Sequence, residues 1–191
     1  YNKTKVMGMD KVFVNLAEYY IRGEADWNDS TFVADLKERV QKMKNTFIGD
    51  TAKDFVAPTA KERHIRLHEV EAPYTVIYFY DPECGHCKEE TPVMKKLSEK
   101  YIDKGVHFIG FYTQVEPEKW KDYIDKHELH RWTNVWDPYN KTNFRFNYYI
   151  YSTPTIYVLD EDKTIIAKRI SAKQTGEILE KEFKNKKSAG R

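Results

Sequence analysis

The chain holds two cysteines in 191 residues, and both lie in one tetrapeptide, Cys84-Gly85-His86-Cys87. A continuous apolar run at 75–80 ends just before it, and a segment with helical spacing begins at it. This order predicts a thiol pair at the point where a buried strand leads into the first turn of a helix. The free N–H groups and the dipole of a helix N-terminus favour an anion, so a thiol there ionises readily. The tetrapeptide indicates a redox site, since two cysteines are too few for a disulfide scaffold.

Strand-like and helix-like segments alternate from residue 48 onward. The apolar stretches at 75–80 and 106–112 are typical of central strands that are covered on both faces. Further strands are predicted at 65–67, 135–136, 156–159 and 165–168, and helices at 84–101, 117–128, 140–146 and from 171. The last two strands flank a hairpin turn at 160–163, and Ser171 and Gln174 have capping-box spacing. The order predicts an α/β fold with a mixed central sheet flanked by helices.

Residues 1–47 carry two apolar stripes at helical spacing, separated by a polar stretch at 23–30 that reads as a turn. The stripes consist of Val12, Leu16, Tyr19 and Tyr20, and of Phe32, Leu36, Val40, Met43 and Phe47. They predict a helical pair that either caps the domain behind it or ends an upstream domain. We therefore divide the chain into a helical extension at 1–47, an α/β domain at 48–185 and a flexible tail at 186–191. Because the chain begins with Tyr1 rather than Met, we expect it to be a processed or truncated piece of a longer protein.

The charge pattern argues against a nucleic-acid partner. The 32 lysines and arginines are interspersed with 30 aspartates and glutamates, which leaves a net charge of +2, whereas a nucleic-acid footprint gathers basic residues in a patch. The basic stretch at 184–187 is interpreted as a solvated chain end. No segment approaches the roughly 18 apolar residues that a membrane-spanning helix needs.

The positions of the two thiols predict different roles. Cys84 would lie at the helix N-terminus and act as the nucleophile, while Cys87, one turn further on, would be the resolving thiol. Exchange would pass through a mixed disulfide on Cys84, which Cys87 then attacks. His86 lies between the two sulfurs, where it can supply positive charge or a hydrogen bond to the thiolate. This chemistry needs no cofactor and no metal.

Glu90 breaks the apolar face of the predicted helix. That face consists of Cys87, Glu90, Met94, Leu97 and Tyr101, at spacings of three, four, three and four. A buried carboxyl group has a raised pKa and can exchange a proton with Cys87, which would make Glu90 catalytic. The alternative is a rim residue whose carboxylate reaches water. Pro92, inside the same helix, predicts a kink.

The triplet Thr153-Pro154-Thr155 directly precedes the predicted strand at 156–159. A proline is tolerated at the start of a strand. Because only about 5–6% of X-Pro bonds in folded proteins are cis, residue frequency alone predicts a trans bond before Pro154.

These motifs together resemble the thioredoxin superfamily, which combines Cys-x-x-Cys at a strand-to-helix junction with a distant Thr-Pro-Thr. The segment 48–55 is similar to the opening of the TlpA/ResA-like branch and of peroxiredoxins, and Glu90 and Pro92 match the ResA-like pattern. The resemblance covers about 48–185. Residues 1–47 are weakly similar to the helical spacer that precedes such domains in larger lipoprotein-like chains.

The resemblance implies a thioredoxin-like fold and a thiol–disulfide oxidoreductase that reduces or isomerises protein disulfides. It implies a cis Pro154 close to Cys84, with the Thr153 main chain pairing an extended substrate segment by strand addition, and Gly85 beside that segment. It also implies a periplasmic or cell-envelope location in a Gram-negative bacterium, with any membrane anchor in a missing N-terminal part. The implied partners are disulfide-bearing protein substrates and an upstream membrane or periplasmic thiol that supplies electrons. The oligomeric state stays open.

The chain departs from this branch in two ways. The ResA-like group commonly has Glu-Pro between its cysteines, whereas Gly85-His86 resembles protein disulfide isomerase, which is a better oxidant. The direction of exchange therefore stays open. No acid matches the buried aspartate of thioredoxin, because residues 76–80 are uncharged.

Three other classes remain as alternatives. Peroxiredoxins carry Pro-x-x-x-Thr/Ser-x-x-Cys, but Ile77 and Asp81 occupy the proline and hydroxyl places. A zinc site would take Cys84 and Cys87 as half of its ligands, and His127 and His130 have ligand-like spacing, although histidines at a helix end are commonly just exposed. A non-catalytic binding module would use a set of aromatic residues that otherwise line a core, namely Trp132, Trp136, Tyr148, Tyr149 and Tyr151.

Overall fold

The structure is a computed structural model that describes residues 9–22, 30–61 and 63–189. Its helices are α1 (Asp10–Arg22), α2 (Ser30–Lys44), α3 (Gly85–Tyr101), α4 (Pro117–Lys126), α5 (Phe144–Asn147) and α6 (Ala172–Ala189). Its strands are β1 (Val56–Pro58), β2 (His64–Arg66), β3 (Tyr74–Tyr80), β4 (Val106–Tyr112), β5 (Thr133–Trp136), β6 (Thr155–Asp160) and β7 (Ile165–Lys168). The turn predicted at 23–30 lies outside the described residues, except for Ser30 at the start of α2.

Five strands form the central sheet in the order β5-β4-β3-β6-β7, and β1 and β2 form a separate hairpin. β4 runs parallel to β3 and to β5, whereas β6 is antiparallel to β3 and to β7. This mixed sheet with flanking helices confirms the thioredoxin-like α/β fold predicted from the sequence. Because Phe79 pairs with Thr155, the segment before β6 lies beside the loop that follows β3.

The two faces of β3 fill separate cores. All of its residues are buried, and side chains alternate between the faces of a strand. Tyr74, Val76, Tyr78 and Tyr80 pack on one face with apolar residues of α3, α4 and α6. Ile77 and Phe79 pack on the other face in a cluster that includes Phe55. The tyrosine-rich face of the sheet therefore lies directly under α3, which carries Cys87.

The N-terminal helices α1 and α2 pack against each other, and the buried face of α1 differs from the predicted stripe. Val14 and Ala17 of α1 are buried with two apolar residues of α2, whereas Leu16 and Tyr19 are 65% and 80% exposed. The buried face of α1 also contains Asp10. Because Asp10 interrupts the buried face, the more regular apolar spacing in the sequence belongs to the exposed face of α1.

Asp10 attaches α1 to the central sheet. Its carboxylate forms an ion pair with the ammonium group of Lys168 at the end of β7, and Lys168 also donates a hydrogen bond of 2.9 Å to the hydroxyl of Thr46. Both charged side chains are buried. A buried charge is costly unless it is paired, so this ion pair holds the helical pair in a defined position on the α/β domain.

Three predicted segments differ in detail. Leu67 lies in a short 3-10 turn after β2 and is fully buried rather than half-exposed in a strand. The helix predicted at 140–146 begins only at Phe144, because the Asp137 carboxylate accepts hydrogen bonds from the N–H groups of Lys141 and Thr142 and holds a turn there. α6 continues to Ala189, so residues 186–189 of the predicted tail are helical.

Ser171 and Gln174 form the predicted capping box at the start of α6. The backbone N–H of Ser171 donates to Gln174 Oε1 at 2.9 Å, and the N–H of Gln174 donates to Ser171 Oγ at 3.2 Å. Among the described residues, no helix has both the length and the apolar character needed to cross a bilayer.

Candidate active site

Cys84 lies where the loop after β3 enters α3. It is the residue before the first helical turn, with extended backbone angles of φ −69° and ψ 123°, and its N–H donates to the carbonyl of Asp81 at 3.1 Å. Its thiol is partly exposed and donates a hydrogen bond of 3.1 Å to the main-chain carbonyl of Thr153. The structure thus places Cys84 at the helix N-terminus, where the sequence predicted it.

The surroundings of Cys84 favour its thiolate. Burial raises the pKa of Cys84, but hydrogen bonds from the Thr153 side chain and from the N–H groups of Cys87 and His86 outweigh it, so the pKa lies below its ordinary value. The N–H groups belong to the first turn of α3, which has no other partner for them within the helix. Cys84 is therefore the thiol of the pair that ionises first.

Cys87 has the opposite environment. It is fully buried in the first turn of α3, and this burial raises its pKa to about 12. The backbone N–H of Asp81 lies 3.5 Å from its sulfur. Both cysteines are free thiols. A buried thiol with a raised pKa stays protonated until a reaction brings another sulfur to it, as the predicted role of a resolving thiol requires.

Thr153 and Pro154 lie against the nucleophile, and the peptide bond between them is cis. The trans bond predicted from residue frequency is therefore wrong, and the cis bond implied by the family resemblance is present. The Thr153 carbonyl that accepts the Cys84 thiol belongs to the segment just before β6. The structure thus brings together residues 84 and 153, which are far apart in the sequence.

A buried chain of hydroxyl groups lies behind Cys87, and the sequence reasoning did not find it. Thr91 Oγ1 is 2.8 Å from Tyr78 Oη and 2.7 Å from Tyr123 Oη. Tyr123 and Tyr78 also donate to the main-chain carbonyl of Cys87, at 3.2 and 3.5 Å. The three residues come from β3, α3 and α4 and are buried. They fix the first turn of α3 against the sheet at the position of the resolving thiol.

Asp81 shapes the loop that connects β3 to Cys84. Its carboxylate accepts hydrogen bonds from the Gln114 side chain at 2.7 Å and from the N–H of Glu83 at 2.8 Å. The same residue offers its own N–H to the Cys87 sulfur. Asp81 is thus a further site residue, and the signal for it in the sequence is its position three residues before Cys84.

His86 and Gly85 are placed less closely to the thiol than predicted. The imidazole of His86 is exposed and lies 3.7 Å from the carboxylate of Glu89, so it is the His86 backbone, not its ring, that faces Cys84. Gly85 is exposed, and an added Cβ would meet no atom within 4 Å. Its role beside the substrate stays a prediction, as does the assistance of the His86 ring.

Glu90 contacts a different helix from the one that its predicted role requires. Its carboxylate accepts a hydrogen bond of 2.6 Å from the N–H of Ala172, the first residue of α6. The side chain is half-buried at the junction of α3 and α6. A carboxylate at a helix N-terminus is stabilised by the free N–H groups there, so the geometry supports a structural link, and proton exchange with Cys87 stays a prediction. α3 continues through Pro92 to Tyr101.

Residues 48–168 match the family model described as AhpC/TSA. The chain belongs to the AhpC/TSA family. It is 28% identical over 149 residues to a thiol-disulfide oxidoreductase ResA of Bacillus cereus, over 78% of this chain and 80% of that protein. It is also 28% identical over 119 residues to the thioredoxin-like protein YneN of Bacillus subtilis (strain 168), over 61% of this chain and 68% of YneN.

Solved structures show the same fold. A domain of a possible thiol-disulfide isomerase from Cytophaga hutchinsonii is 34% identical and superposes with a TM-score of 0.68, covering 74% of this chain and 97% of that one. A thioredoxin-like protein from Bacteroides caccae superposes with a TM-score of 0.76 over 89% of this chain and 61% of its own length, at 20% identity. These similarities confirm that this member of the AhpC/TSA family is a TlpA/ResA-like protein of the thioredoxin superfamily.

The aromatic residues considered as a recognition surface divide into two groups. Trp132 and Tyr148 are buried in separate cores on opposite faces of the sheet. Trp136 and Tyr149 are half-buried, and Tyr151 is exposed. The five residues therefore do not form one surface, and Tyr151 is the member with most of its ring accessible.

The two histidines considered as zinc ligands contact residues other than the two cysteines. The His127 ring packs against the Tyr123 ring at a tilt of 48°, with 4.3 Å between the centroids, and His130 is exposed, 3.5 Å from Asp125. Within the described part of the chain, no three His, Cys, Asp or Glu side chains form a group that would hold a metal ion.

Proposed function

We propose that this protein is a thiol–disulfide oxidoreductase in which Cys84 is the nucleophile and Cys87 the resolving thiol. The observation that carries the proposal is the contrast between a partly exposed Cys84 with a lowered pKa and a buried Cys87 with a raised one. The similarity to thiol-disulfide oxidoreductases of the ResA type supports the same function.

In the reducing direction, the Cys84 thiolate attacks one sulfur of a substrate disulfide. The substrate S–S bond breaks, the second substrate sulfur leaves as a thiolate and takes up a proton, and Cys84 becomes part of a mixed disulfide. Cys87 then loses its proton and attacks Cys84 Sγ, which releases the first substrate sulfur as a thiol. Two electrons have passed to the substrate, and an upstream thiol donor reduces the Cys84–Cys87 disulfide again.

The proposed substrates are polypeptides with an accessible disulfide, which lie along Thr153 in an extended conformation. Strand addition to this main-chain segment supplies hydrogen bonds without demanding a particular sequence, and the open surface at Gly85 leaves room for the chain. In isomerisation, a substrate thiol attacks the mixed disulfide in place of Cys87. A reduction potential of about −270 mV for the Cys84–Cys87 pair would favour reduction of substrates, and one between about −180 and −120 mV would favour isomerisation or oxidation.

The proposed location is the periplasmic side of the cell envelope, in accordance with the TlpA/ResA-like resemblance. The proposed electron donor is a membrane or periplasmic thiol protein. Fractionation of cells that produce the full-length protein tests the location, because recovery in the cytoplasmic fraction would contradict it.

Reduction of insulin by a dithiol donor tests the function with two matched variants. We expect the wild type to catalyse reduction, Cys84→Ser to lose activity because no nucleophile remains, and Cys87→Ser to accumulate a mixed disulfide that gel electrophoresis without reductant detects. Activity retained in Cys84→Ser, or a mixed disulfide that forms on Cys87 instead, would show that the roles are assigned wrongly.

A further inference from the structure

An exposed tyrosine lies beside the segment that carries Thr153. Tyr151 precedes Thr153 by two residues and is 52% exposed. The carbonyl of Thr153 accepts the Cys84 thiol, so Tyr151 lies on the loop that contacts the nucleophile, two residues from the point of contact.

The side chains of Tyr149 and Arg169 pack against the Tyr151 ring, and we call these three residues the stack. The guanidinium of Arg169 lies over the Tyr149 ring at 4.3 Å and over the Tyr151 ring at 4.8 Å from the centroids. The two tyrosine rings are 5.1 Å apart. Arg169 Nη2 also donates a hydrogen bond of 3.1 Å to the carbonyl of Tyr149. The guanidinium is therefore engaged by its neighbours, while the Tyr151 ring remains accessible.

Two residues of the stack have an uncommon backbone conformation. Tyr149 and Arg169 have φ angles of 47° and 54°, in the left-handed region that residues other than glycine rarely adopt. Such residues concentrate at binding and catalytic sites, where the surrounding structure enforces them. Here the backbone N–H of Arg169 donates to the carbonyl of Ile156 at 2.7 Å, next to the cis proline segment.

The N-terminal helices support the same stack. Tyr149 packs against the cluster formed by α1 and α2, together with Phe47. The residue before Arg169 is Lys168, which the buried Asp10 carboxylate and the Thr46 hydroxyl hold. The helical extension thus packs against Tyr149 and holds the residue next to Arg169, and these are the two residues that contact the Tyr151 ring.

We propose that Tyr151 is an aromatic platform for the substrate, and that it selects disulfide-bearing polypeptides with an apolar or aromatic side chain two residues from the cysteine that Cys84 attacks. This inference rests on the proposed function. An aromatic ring stacks favourably on another ring. A cationic side chain is disfavoured, because the Arg169 charge already lies against the Tyr151 ring.

The test uses short peptides that each contain one disulfide, with Phe, Ala, Lys or Glu two positions before or after the cysteine under attack. The reduced wild-type protein should favour Phe over Ala by about tenfold in kcat/KM at one of the two flanks, mainly through KM, as expected for an aromatic anchor at a binding surface, and should disfavour Lys. Tyr151→Ala should reduce this preference to about twofold or less, and Tyr151→Phe should restore it.

Tyr139→Ala is the matched control, since Tyr139 is also exposed and lies near a cation, Lys141, but follows β5 at the other edge of the sheet. It should keep the wild-type preference. An undiminished preference in Tyr151→Ala, or a preference of the wild type for Glu over Phe, would overturn the inference. Reduction of the small disulfide 5,5′-dithiobis(2-nitrobenzoate) separates the two proposals, because a wild type inactive on it and on insulin would contradict the oxidoreductase function itself.

Discussion

The two cysteines are three residues apart, yet their surroundings differ in nearly every physical respect. Cys84 lies outside the first turn of α3, is partly exposed and is surrounded by hydrogen bonds that stabilise its anion. Cys87 lies inside that turn, is fully buried and faces the tyrosine-rich side of the sheet. One helical turn is therefore enough to separate a thiol that ionises from one that does not.

This difference explains how two chemically identical residues come to react in a fixed sequence, Cys84 first and Cys87 second. The nucleophile needs a thiolate at ambient pH, whereas the resolving thiol must stay inert until the mixed disulfide has formed. The structure assigns the first property to the helix N-terminus and to the Thr153 side chain, and the second to burial behind Tyr78, Thr91 and Tyr123. Each assignment leads to a measurement that can contradict the contrast between the two thiols.

The largest expected effect is on the rate of alkylation. At pH 8, a thiol with a pKa of about 12 is roughly one part in ten thousand thiolate, whereas Cys84, with a pKa below the ordinary 9.0, is at least about a tenth ionised. The Cys84 thiol should therefore react with iodoacetamide at least about a thousandfold faster than the Cys87 thiol. Each rate is measured in the variant that lacks the other cysteine, Cys87→Ser or Cys84→Ser.

The pH profiles should differ in the same sense. Because only the thiolate reacts, the rate at Cys84 reaches half of its maximum below pH 9, while the rate at Cys87 continues to rise toward about pH 12. The same variants after unfolding in urea are the control and should react at similar rates. Folded-state rates within tenfold of each other would contradict the contrast between the two environments.

The next effect concerns the hydroxyl chain behind Cys87. Thr91→Val keeps the shape of the side chain but removes the hydroxyl that Tyr78 and Tyr123 contact at 2.8 and 2.7 Å, so each tyrosine keeps only its longer bond to the Cys87 carbonyl. Because two buried hydrogen bonds are lost, the free energy of unfolding should fall by about 2 kcal/mol. Urea unfolding of the reduced protein measures it. Resolution of a mixed disulfide by Cys87 should slow more than attack by Cys84.

Thr175→Val provides the matched control for this variant. Thr175 is also fully buried in a helix, but within the described residues its hydroxyl donates to a single partner, the carbonyl of Ser171 just before α6, at 3.0 Å. Its replacement leaves no second hydroxyl without a partner and should cost less than Thr91→Val. Equal losses in the two variants would mean that the hydroxyl chain has no special role at Cys87.

The sequence allowed more to be predicted about the nucleophile Cys84 than about the buried hydroxyl groups behind the resolving thiol Cys87. Cys84 at a helix N-terminus follows from local order, a buried strand and then a helical segment, and local order is visible along the chain. The contact among Tyr78, Thr91 and Tyr123 joins three elements and depends on how α3 and α4 are rotated against the sheet. A single sequence does not encode that rotation in any local pattern.

The same distinction explains the errors in the fold. The strands at 75–80 and 106–112 and the capping box at Ser171 were predicted because their signals are local. The buried face of α1 was not, because its inner side pairs Asp10 with Lys168, a residue far along the chain. The cis bond before Pro154 was likewise available only from the family resemblance, since residue frequency favours trans.

The smallest expected effect decides between the two interpretations of Glu90. Its carboxylate accepts a hydrogen bond from the first N–H group of α6, so Glu90→Gln removes a charge from a helix N-terminus and should lower the free energy of unfolding by about 0.5–1 kcal/mol. Because this bond engages the carboxylate at α6, the pH profile of Cys87 alkylation, measured in the Cys84→Ser background, should not change. Glu89→Gln is the control, since Glu89 is on the same helix but its carboxylate is exposed near His86.

A pH profile that shifts by more than about half a pH unit in Glu90→Gln and not in Glu89→Gln would support the catalytic interpretation, in which Glu90 exchanges a proton with Cys87. In that case the buried groups behind the resolving thiol would include a titrating group as well as the three hydroxyls.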